Sequence, residues 1–573
     1  MTGRVVRVLP DVAGLDRAFD YSVPEEWDGD VRVGTLVRVS LHGRRVAGWV
    51  VADRVAPPAG VHVRPLAKVT GWGPPEEVVD LARWAAWRWA GPLRPLLRAA
   101  SPPGAVRGLP PAPPPRPPAS APGDDHPLVG EALSRPRSVV RLPPAADPYP
   151  FVAAAARLGD ALVVTPSVAG AALLAARLRR AGPAVAVAPR DWVRAAAGGC
   201  AVVGARAAAW SPVPAPAAVV VLDAHDEALQ EERAPTWSAW RVAAERAARA
   251  GAPCVLVSPC PTVEQLAWGE ASVPSRADER AGWPVVEVVD RRHDDPRSGL
   301  YSERLVRVLR GGERVACVLN RKGRARLLAC AGCGELTRCE WCAGAMEQGG
   351  DGGGLRCRRC RAVRATVCQA CGAGRLKSLR VGVSRAREEL EALAGRPVAE
   401  VTGDSEGLPD APLLVGTEAL LHRLGAADAV VFVDFDQELL APRFRAAEQA
   451  LALLARAARL VGGRDGGGRV VVQTRAPSSE VLRAAVHADP GRLAAAEAER
   501  RAAARLPPWS ALALVSGDAE AFVAALPATV EVLGPAGGRW LVRAGDHRAL
   551  CDALASVPRR GARLRVEVDP ARA

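Results

Sequence analysis

Residues 330–371 read CAGCGELTRCEWCAGAMEQGGDGGGLRCRRCRAVRATVCQAC. Eight of the thirteen cysteines fall in this stretch as four C-x-x-C pairs: Cys330/Cys333, Cys339/Cys342, Cys357/Cys360 and Cys368/Cys371. A C-x-x-C pair sets two thiolates on one tight turn where both reach one ion, and two such pairs complete a closed tetrahedral all-sulfur shell. Four pairs therefore imply two structural zinc ions, with no coordination position left for catalysis. The gaps between successive pairs are 5, 14 and 7 residues. Five residues are few for wrapping one ion, so the spacing favours interleaving: the outer pairs on one zinc, the inner pairs on the other. Disulfides and iron–sulfur ligation are the competing readings. Residues 1–9 lack the apolar run of a secretory signal and no stretch is long enough to cross a bilayer, so a cytoplasmic, reducing setting and no membrane partner are expected. Cys200, Cys254, Cys260, Cys317 and Cys551 are scattered and read as core residues.

Outward from the cysteines, the chain alternates short apolar runs with alanine-rich helical stretches. Residues 161–165, 219–223 and 254–258, with a helix over 168–181, form one block; residues 315–319, 413–415, 429–434 and 470–474 form a second, and the cysteines follow its first strand. Continuous apolar runs of four or five residues flanked by helices predict parallel sheets covered on both faces. Before these blocks, β-rich runs at 5–9, 36–39 and 47–51, broken by Gly34 and Gly43, predict a small β-barrel or open β domain, followed by a tryptophan-rich helix over 75–90. A proline-rich spacer over 101–122 separates the two regions. The last hundred residues, with a charged helix through Glu497 and Arg501, Pro507-Pro508-Trp509 and a strand at 564–568, predict a small α+β domain. The expected boundaries are 1–100 for the β domain, 101–148 for the linker, 149–295 and 296–476 for the two lobes with the insertion at 330–371, and 477–573 for the tail.

The 573 residues carry a net charge of +14. Between Arg321 and Arg387, fifteen Lys or Arg stand against four acids, so the basic surplus sits on the cysteine module and points to a phosphate backbone. Only Lys68, Lys322 and Lys377 are lysines. A phosphate-binding loop of the usual kind needs a lysine after its glycines, and none lies between Lys68 and Lys322.

The order of parts resembles the PriA family of primosomal replication-restart proteins, which are superfamily 2 DNA helicases. The resemblance rests on Leu319-Asn320-Arg321 through the cysteines, Phe19-Asp20-Tyr21 with Val23-Pro24, Val415-Gly416-Thr417, Val433-Asp434-Phe435-Asp436 and Phe444-Arg445-Ala446-Ala447-Glu448. Val532-Leu533-Gly534-Pro535 and Val568-Asp569-Pro570 add to it. It implies two RecA-like lobes in an α/β fold, with an N-terminal barrel that grips the 3′ end of a DNA strand. The matching pocket positions are Phe19, Asp20, Tyr21, Gly43 and Lys68: Asp20 would accept from a terminal hydroxyl, an aromatic ring would stack on a base, and Lys68 would meet phosphate. Where the family has its phosphate loop, this chain has residues 151–160; where it has a paired acid, Asp223-Ala224-His225; where it has an arginine motif, residues 458–463 lack the expected pattern. A winged-helix domain is also without counterpart. The expected function is replication restart, with DNA repair and recombination: binding forked or single-stranded DNA and helping to load the replicative helicase, without helicase activity and with doubtful ATP binding. The expected partners are the helicase or its loader and single-stranded DNA-binding protein, near the nucleoid. The alternative is an active ATP-dependent 3′–5′ helicase with nonstandard motifs.

Overall fold

Valine and alanine runs with no polar face must be covered on both sides, and in the computed structural model they are. Described are residues 4–56, 63–114, 127–294, 300–311, 314–319, 328–342, 344–348, 354–357, 360–378, 383–402, 405, 407–559 and 563–571. In the first lobe the strands run in the order Glu270–Ser272, Arg137–Arg141, Cys254–Ser258, Ala218–Leu222, Ala161–Val164, Ala201–Gly204 and Val185–Val187, all parallel. The second lobe has the parallel order Val285–Asp290, Arg469–Thr474, Ala429–Phe432, Val315–Val318, Leu413–Gly416 and Val398–Val401. Central strands such as Ala161–Val164 and Ala429–Phe432 are buried along their whole length, as two-sided covering demands.

Serine and threonine caps set where the covering helices start. Ser167 accepts from the Gly170 amide ahead of Val168–Ala181, and Thr262 forms a capping box with Gln265 ahead of Val263–Trp268; such a cap stabilises its helix by about 1 kcal/mol. Gly416 is obligatory for packing, because a Cβ there would lie 2.0 Å from the Val401 carbonyl oxygen on the neighbouring strand.

The N-terminal sheet has the order Arg64–Pro65, Phe19–Ser22, Val5–Pro10, Arg44–Ala52, Leu36–Leu41 and Lys68–Gly71. Its two edge strands are consecutive in sequence. The segment 64–71 leaves one edge, bonding Leu66 N to Ser22 O, and joins the other, bonding Ala67 N to Arg38 O. The sheet therefore closes on itself as a small barrel around Val6, Val8, Tyr21, Val37, Val39 and Val50. The helix Glu76–Arg88 then wedges between the first lobe and the C-terminal domain, where Arg88 pairs with Asp569 at 2.7 Å. That last domain is an antiparallel sheet, Glu531–Leu533, Arg539–Ala544, Ala511–Ser516 and Arg565–Val568, carrying the helix His547–Ser556.

Two boundaries differ from the expectation. The strand Arg137–Arg141, placed within the linker by sequence, pairs inside the first sheet, and Val285–Asp290, assigned to the first lobe, belongs to the second. Arg137–Arg141 has polar or charged residues at both ends and Val285–Asp290 is interrupted by Glu287, so neither stands out as an unbroken buried run. The proline-rich stretch is not a free spacer where it is described: Val106 is buried, its carbonyl accepts from Trp72 N at 2.7 Å, and Pro113 lies against Gly199. Proline lacks an N–H but keeps its carbonyl, so an extended proline-rich chain can still dock. Residues 115–122 of that stretch, and Asn320, Arg321 and Lys322, lie outside the described residues.

Candidate functional site

Three places carry the chemistry: the cleft between the lobes, the cysteine module and the barrel. In parallel α/β sheets, ligands bind beyond the carboxyl ends of the strands. At that end of the first lobe, Arg137–Arg141 runs into residues 142–148 ahead of the helix Tyr149–Leu158. This strand-to-helix loop, rather than residues 151–160, occupies the position of a phosphate loop; most of 151–160 is a buried helix carrying Phe151 and Val152. The loop reads Leu-Pro-Pro-Ala-Ala-Asp-Pro. Three of its seven residues lack an N–H, and it has neither glycine nor lysine, so it cannot wrap phosphates with backbone donors.

Across a cavity of about 280 Å³ from this loop stands the helix Ala446–Val461 of the second lobe. Its apolar stripe, Ala450, Leu451, Leu454, Ala455 and Ala458, faces its own lobe. Its arginines face the other. The Arg459 guanidinium clasps Asp223, at 2.5 and 2.7 Å, and donates to the Pro144 carbonyl at 3.1 Å. One turn earlier Arg456 pairs with Asp226. Burial alone would raise the Asp223 pKa, but Arg459 more than offsets it and draws the carboxyl down to about 2. Asp223 also has φ +48, a left-handed conformation uncommon outside glycine. His225 lies 2.9 Å from Ser258 Oγ through Nδ1, and burial holds its pKa below the usual value. Next to the cleft, Arg445 meets Glu264 at 2.6 Å, and the fully buried Arg501 bonds Glu264 at 3.0 Å and Glu448 at 2.5 Å.

The arginine part of the sequence expectation is thereby corrected. Arginines do reach the cleft from the segment after Glu448, and they are engaged with the acids facing them. The signal was present: Asp223 and Asp226, like Arg456 and Arg459, are three residues apart, and on a helix that spacing puts both guanidinium groups on one face. Magnesium nucleotide does not fit the residues present, since Asp223 is already paired, Ala224 follows it, and the loop offers no cradle.

The eight cysteines fold into two clusters with the interleaving that the spacing favours. Cys330, Cys333, Cys368 and Cys371 form one; Cys339, Cys342, Cys357 and Cys360 form the other, with sulfurs within 4.8 Å of one another in each. Sulfur–sulfur distances of 3.5 and 3.6 Å in the first, and 3.3 and 3.5 Å in the second, sit slightly inside the edge of about 3.8 Å expected for a tetrahedron with 2.3 Å metal–sulfur bonds. The donor set and its size fit a divalent soft ion. Burial raises the Cys330 and Cys339 thiols, but amides of their own turns offset it and pull both down to about 7, easing the deprotonation that ligation needs. A hairpin of Met346–Gln348 with Leu355–Cys357 closes the 14-residue gap, and Leu328–Cys330 pairs with Leu376–Ser378 at the base. The module docks on the second lobe through Ala329, Leu336 and Ala345 against Leu440, and Arg338 donates to the Arg475 carbonyl at 3.3 Å.

In the barrel, the five expected pocket residues are only partly brought together. Tyr21 points inward and donates its hydroxyl to the Ser40 carbonyl at 3.2 Å, and Phe19 packs beside it on the same face. Asp20 points the other way, into a two-point pair with Arg7 directly opposite on the next strand, at 2.8 and 3.1 Å. Gly43, φ +77, and His42, φ +46, make the two-residue turn between Leu36–Leu41 and Arg44–Ala52, a geometry that needs a left-handed pair. A Cβ on Gly43 would touch nothing within 4 Å, so the turn is open to solvent. Lys68 is exposed at the start of its strand opposite Arg38, and barrel closure carries it back toward Ser22.

A family model described as the 3′DNA-binding domain (3′BD) matches residues 7–102. The chain is 31% identical to the probable replication restart protein PriA of Mycobacterium tuberculosis (strain CDC 1551 / Oshkosh), over 90% of this chain and 87% of that protein. It is 30% identical to the protein of the same description from Mycobacterium leprae, over 91% and 90%. Among solved structures, a DEAD box protein from Methanococcus jannaschii aligns over 63% of this chain and 88% of that one, with 11% identity and a TM-score of 0.32. Among the described residues, no helix is long and apolar enough to cross a membrane.

Proposed function

The chain belongs to the family of replication restart protein PriA, and from that premise we propose that it binds DNA at a 3′ end and acts in replication restart without a working ATPase. The observation that carries the proposal is the Arg459–Asp223 clasp across a cleft whose loop has neither glycine nor lysine. Where bound nucleotide would draw two lobes together, the chain draws them together itself. Arginine and metal-bound phosphate together lower the barrier to phosphoryl transfer, and a single arginine finger is worth roughly three to five orders of magnitude in rate. With Asp223 neutralised from within and no phosphate cradle, hydrolysis has nothing to act through.

Tyr21 belongs to the barrel core, so the barrel offers DNA the half-buried ring of Phe19, an exposed lysine and an open turn, with Asp20 able to exchange Arg7 for a terminal hydroxyl. Each four-cysteine cluster holds one Zn²⁺, and the basic module around them neutralises phosphates. The lobes then serve as a rigid platform for forked or single-stranded DNA, for single-stranded DNA-binding protein and for the replicative helicase or its loader. The experiment is a DNA-stimulated ATPase and unwinding assay on the zinc-loaded protein with forked DNA. Background turnover is expected. Robust turnover lost in Asp223→Ala would instead establish the active 3′–5′ helicase, with Arg456 and Arg459 working as its arginine motif.

A further inference from the structure

On the side of the interlobe cleft away from residues 142–148, the two lobes and the C-terminal domain meet around a second cavity of about 320 Å³, at the small end for a ligand pocket. Its walls include the first turn of the helix Ala239–Ala250, the cleft-facing part of Ala446–Val461, and Asp569. The helix starts without a side-chain cap. Ser238 stands at the N-cap position with its hydroxyl bonded to nothing among the described residues, although the residue is only 5% exposed. The first amides of any helix lack intrahelical acceptors, and they carry the positive end of its dipole. Here the turn that presents them also lines the cavity.

Arg241, one turn in, lines the same cavity. It has no hydrogen-bond or ion-pair partner among the described residues; its guanidinium only lies over its neighbour Trp240, 4.3 Å from the ring centroid. Burial lowers its pKa to about 10, which leaves it charged at neutral pH. The carboxylates that act on it are committed elsewhere: Asp569 to Arg88 and His547, both at 2.7 Å, and Glu264 to Arg445 and Arg501. Of the other acids on the walls, Asp226 pairs with Arg456, Glu448 with Arg501 and Glu227 with Arg443, while Glu232 and Glu418 complete the acidic part of the lining. A half-buried guanidinium with no hydrogen-bond or ion-pair partner among the described residues, an almost fully buried serine hydroxyl that caps nothing, and the N-terminus of a twelve-residue helix converge on one space. Each is a donor, and together they make the donor set that phosphate oxygens require.

We propose that Ser238, Arg241 and the first turn of the helix Ala239–Ala250 form a binding site for a phosphate group, separate from the interlobe nucleotide position and from the barrel. The phosphate comes either from a free phosphomonoester of nucleotide size or from the backbone of a DNA strand threaded between the lobes. The test is calorimetry on the full zinc-loaded chain with inorganic phosphate, deoxyadenosine monophosphate and a fifteen-nucleotide oligothymidylate, each with the unmodified protein, Arg241→Gln, Arg241→Lys and Ser238→Ala. Arg241→Gln is expected to weaken the productive ligand about tenfold, Ser238→Ala about threefold, and Arg241→Lys less than Arg241→Gln. Loss confined to phosphate and the monophosphate identifies a free phosphomonoester; loss confined to the oligonucleotide identifies a strand phosphate. Unchanged affinity for all three probes in Arg241→Gln, or no binding of any probe by the unmodified protein, overturns the proposal. Zinc content and thermal midpoint confirm that each variant is folded, and Ser238→Ala supplies a second reading should Arg241→Gln fail that check. Recognition of a 3′ end rests on the barrel, so that reading and this one fail independently.

Discussion

Replacing Arg459 by alanine removes the main clasp across the interlobe cleft and strands Asp223 as an unpaired, largely buried carboxylate. The magnitude follows from that carboxyl. Its pKa is drawn from 3.8 to about 2, and each unit corresponds to about 1.4 kcal/mol, so the folded state gains about 2.5 kcal/mol when Asp223 is ionised. Asp223 is 17% exposed but Arg459 is 40% exposed, so solvent screening brings the pair to about 1–2 kcal/mol. The folded pKa lies below the unfolded one. The stabilisation is therefore fully present above pH 4 and is lost as pH falls through about 2. The assay is a double-mutant cycle with Asp223→Asn, Arg459→Ala and the pair of substitutions, read from the thermal and urea transitions of the interlobe region at pH 7. Arg459→Ala should destabilise by about 2 kcal/mol and Asp223→Asn by about 1, and the double variant should cost about 1 kcal/mol less than their sum. If the two substitutions simply add, the clasp contributes no coupling and the self-closed cleft is refuted.

Elemental analysis should return two zinc ions per chain; a chelator should unfold the module and release its docking on Leu440, because ligation supplies on the order of 10 kcal/mol per structural site. One ion or none contradicts the two clusters. Asp20→Ala should erase the distinction between a free and a blocked 3′ hydroxyl while leaving salt-dependent affinity nearly unchanged; equal binding of both ends by the unmodified barrel counts against the pocket. In the second lobe, burial first, and then the neighbouring Asp436, push the Asp434 pKa up to about 6. The unfolded chain ionises it near pH 4, so stability falls as pH rises from about 4 to 6 and is flat above. Asp434→Asn should reduce that slope and raise the second-lobe transition above pH 6, while Asp436, whose pKa burial also raises, keeps the remainder; a slope unchanged by the substitution refutes the assignment.

The cysteine clusters were legible because four pairs of cysteines at fixed spacing leave few ways to satisfy two ions, and the interleaving followed from one short gap. The buried strands Ala161–Val164, Cys254–Ser258 and Ala429–Phe432 were legible for a similar reason: unbroken apolar runs have few other uses. Arg137–Arg141 was hidden by its charged ends and the proline-rich approach, and with it went the true position of the loop at 142–148. The cross-cleft pairs were harder still. Arg459 and Asp223 are 236 residues apart, and nothing local marks either as a partner of the other. Periodicity shows which face of Ala446–Val461 is apolar, but not that its arginines meet acids on another lobe. In the barrel, Phe19–Ser22 was not legible as a strand, so the placing of Asp20 and Tyr21 on opposite faces and the pairing of Asp20 with Arg7 emerge only from its register with Val5–Pro10.

The interleaved cysteine sites have the syntax of nested brackets, and brackets must close from the inside. The inner pair of turns encloses 14 residues and the outer pair 34, so bringing the outer turns together first would cost about 0.8 kcal/mol more in chain entropy than closing the inner ones. Once the inner ion is bound, the outer loop is already shortened and its closure is eased. Synthesis runs in the same direction, since Cys360 is made and emerges ahead of Cys368 and Cys371. Assembly is thus ordered: the hairpin tip gathers its metal before the base of the module closes, and stripping by a chelator should reverse the order, opening the outer bracket first.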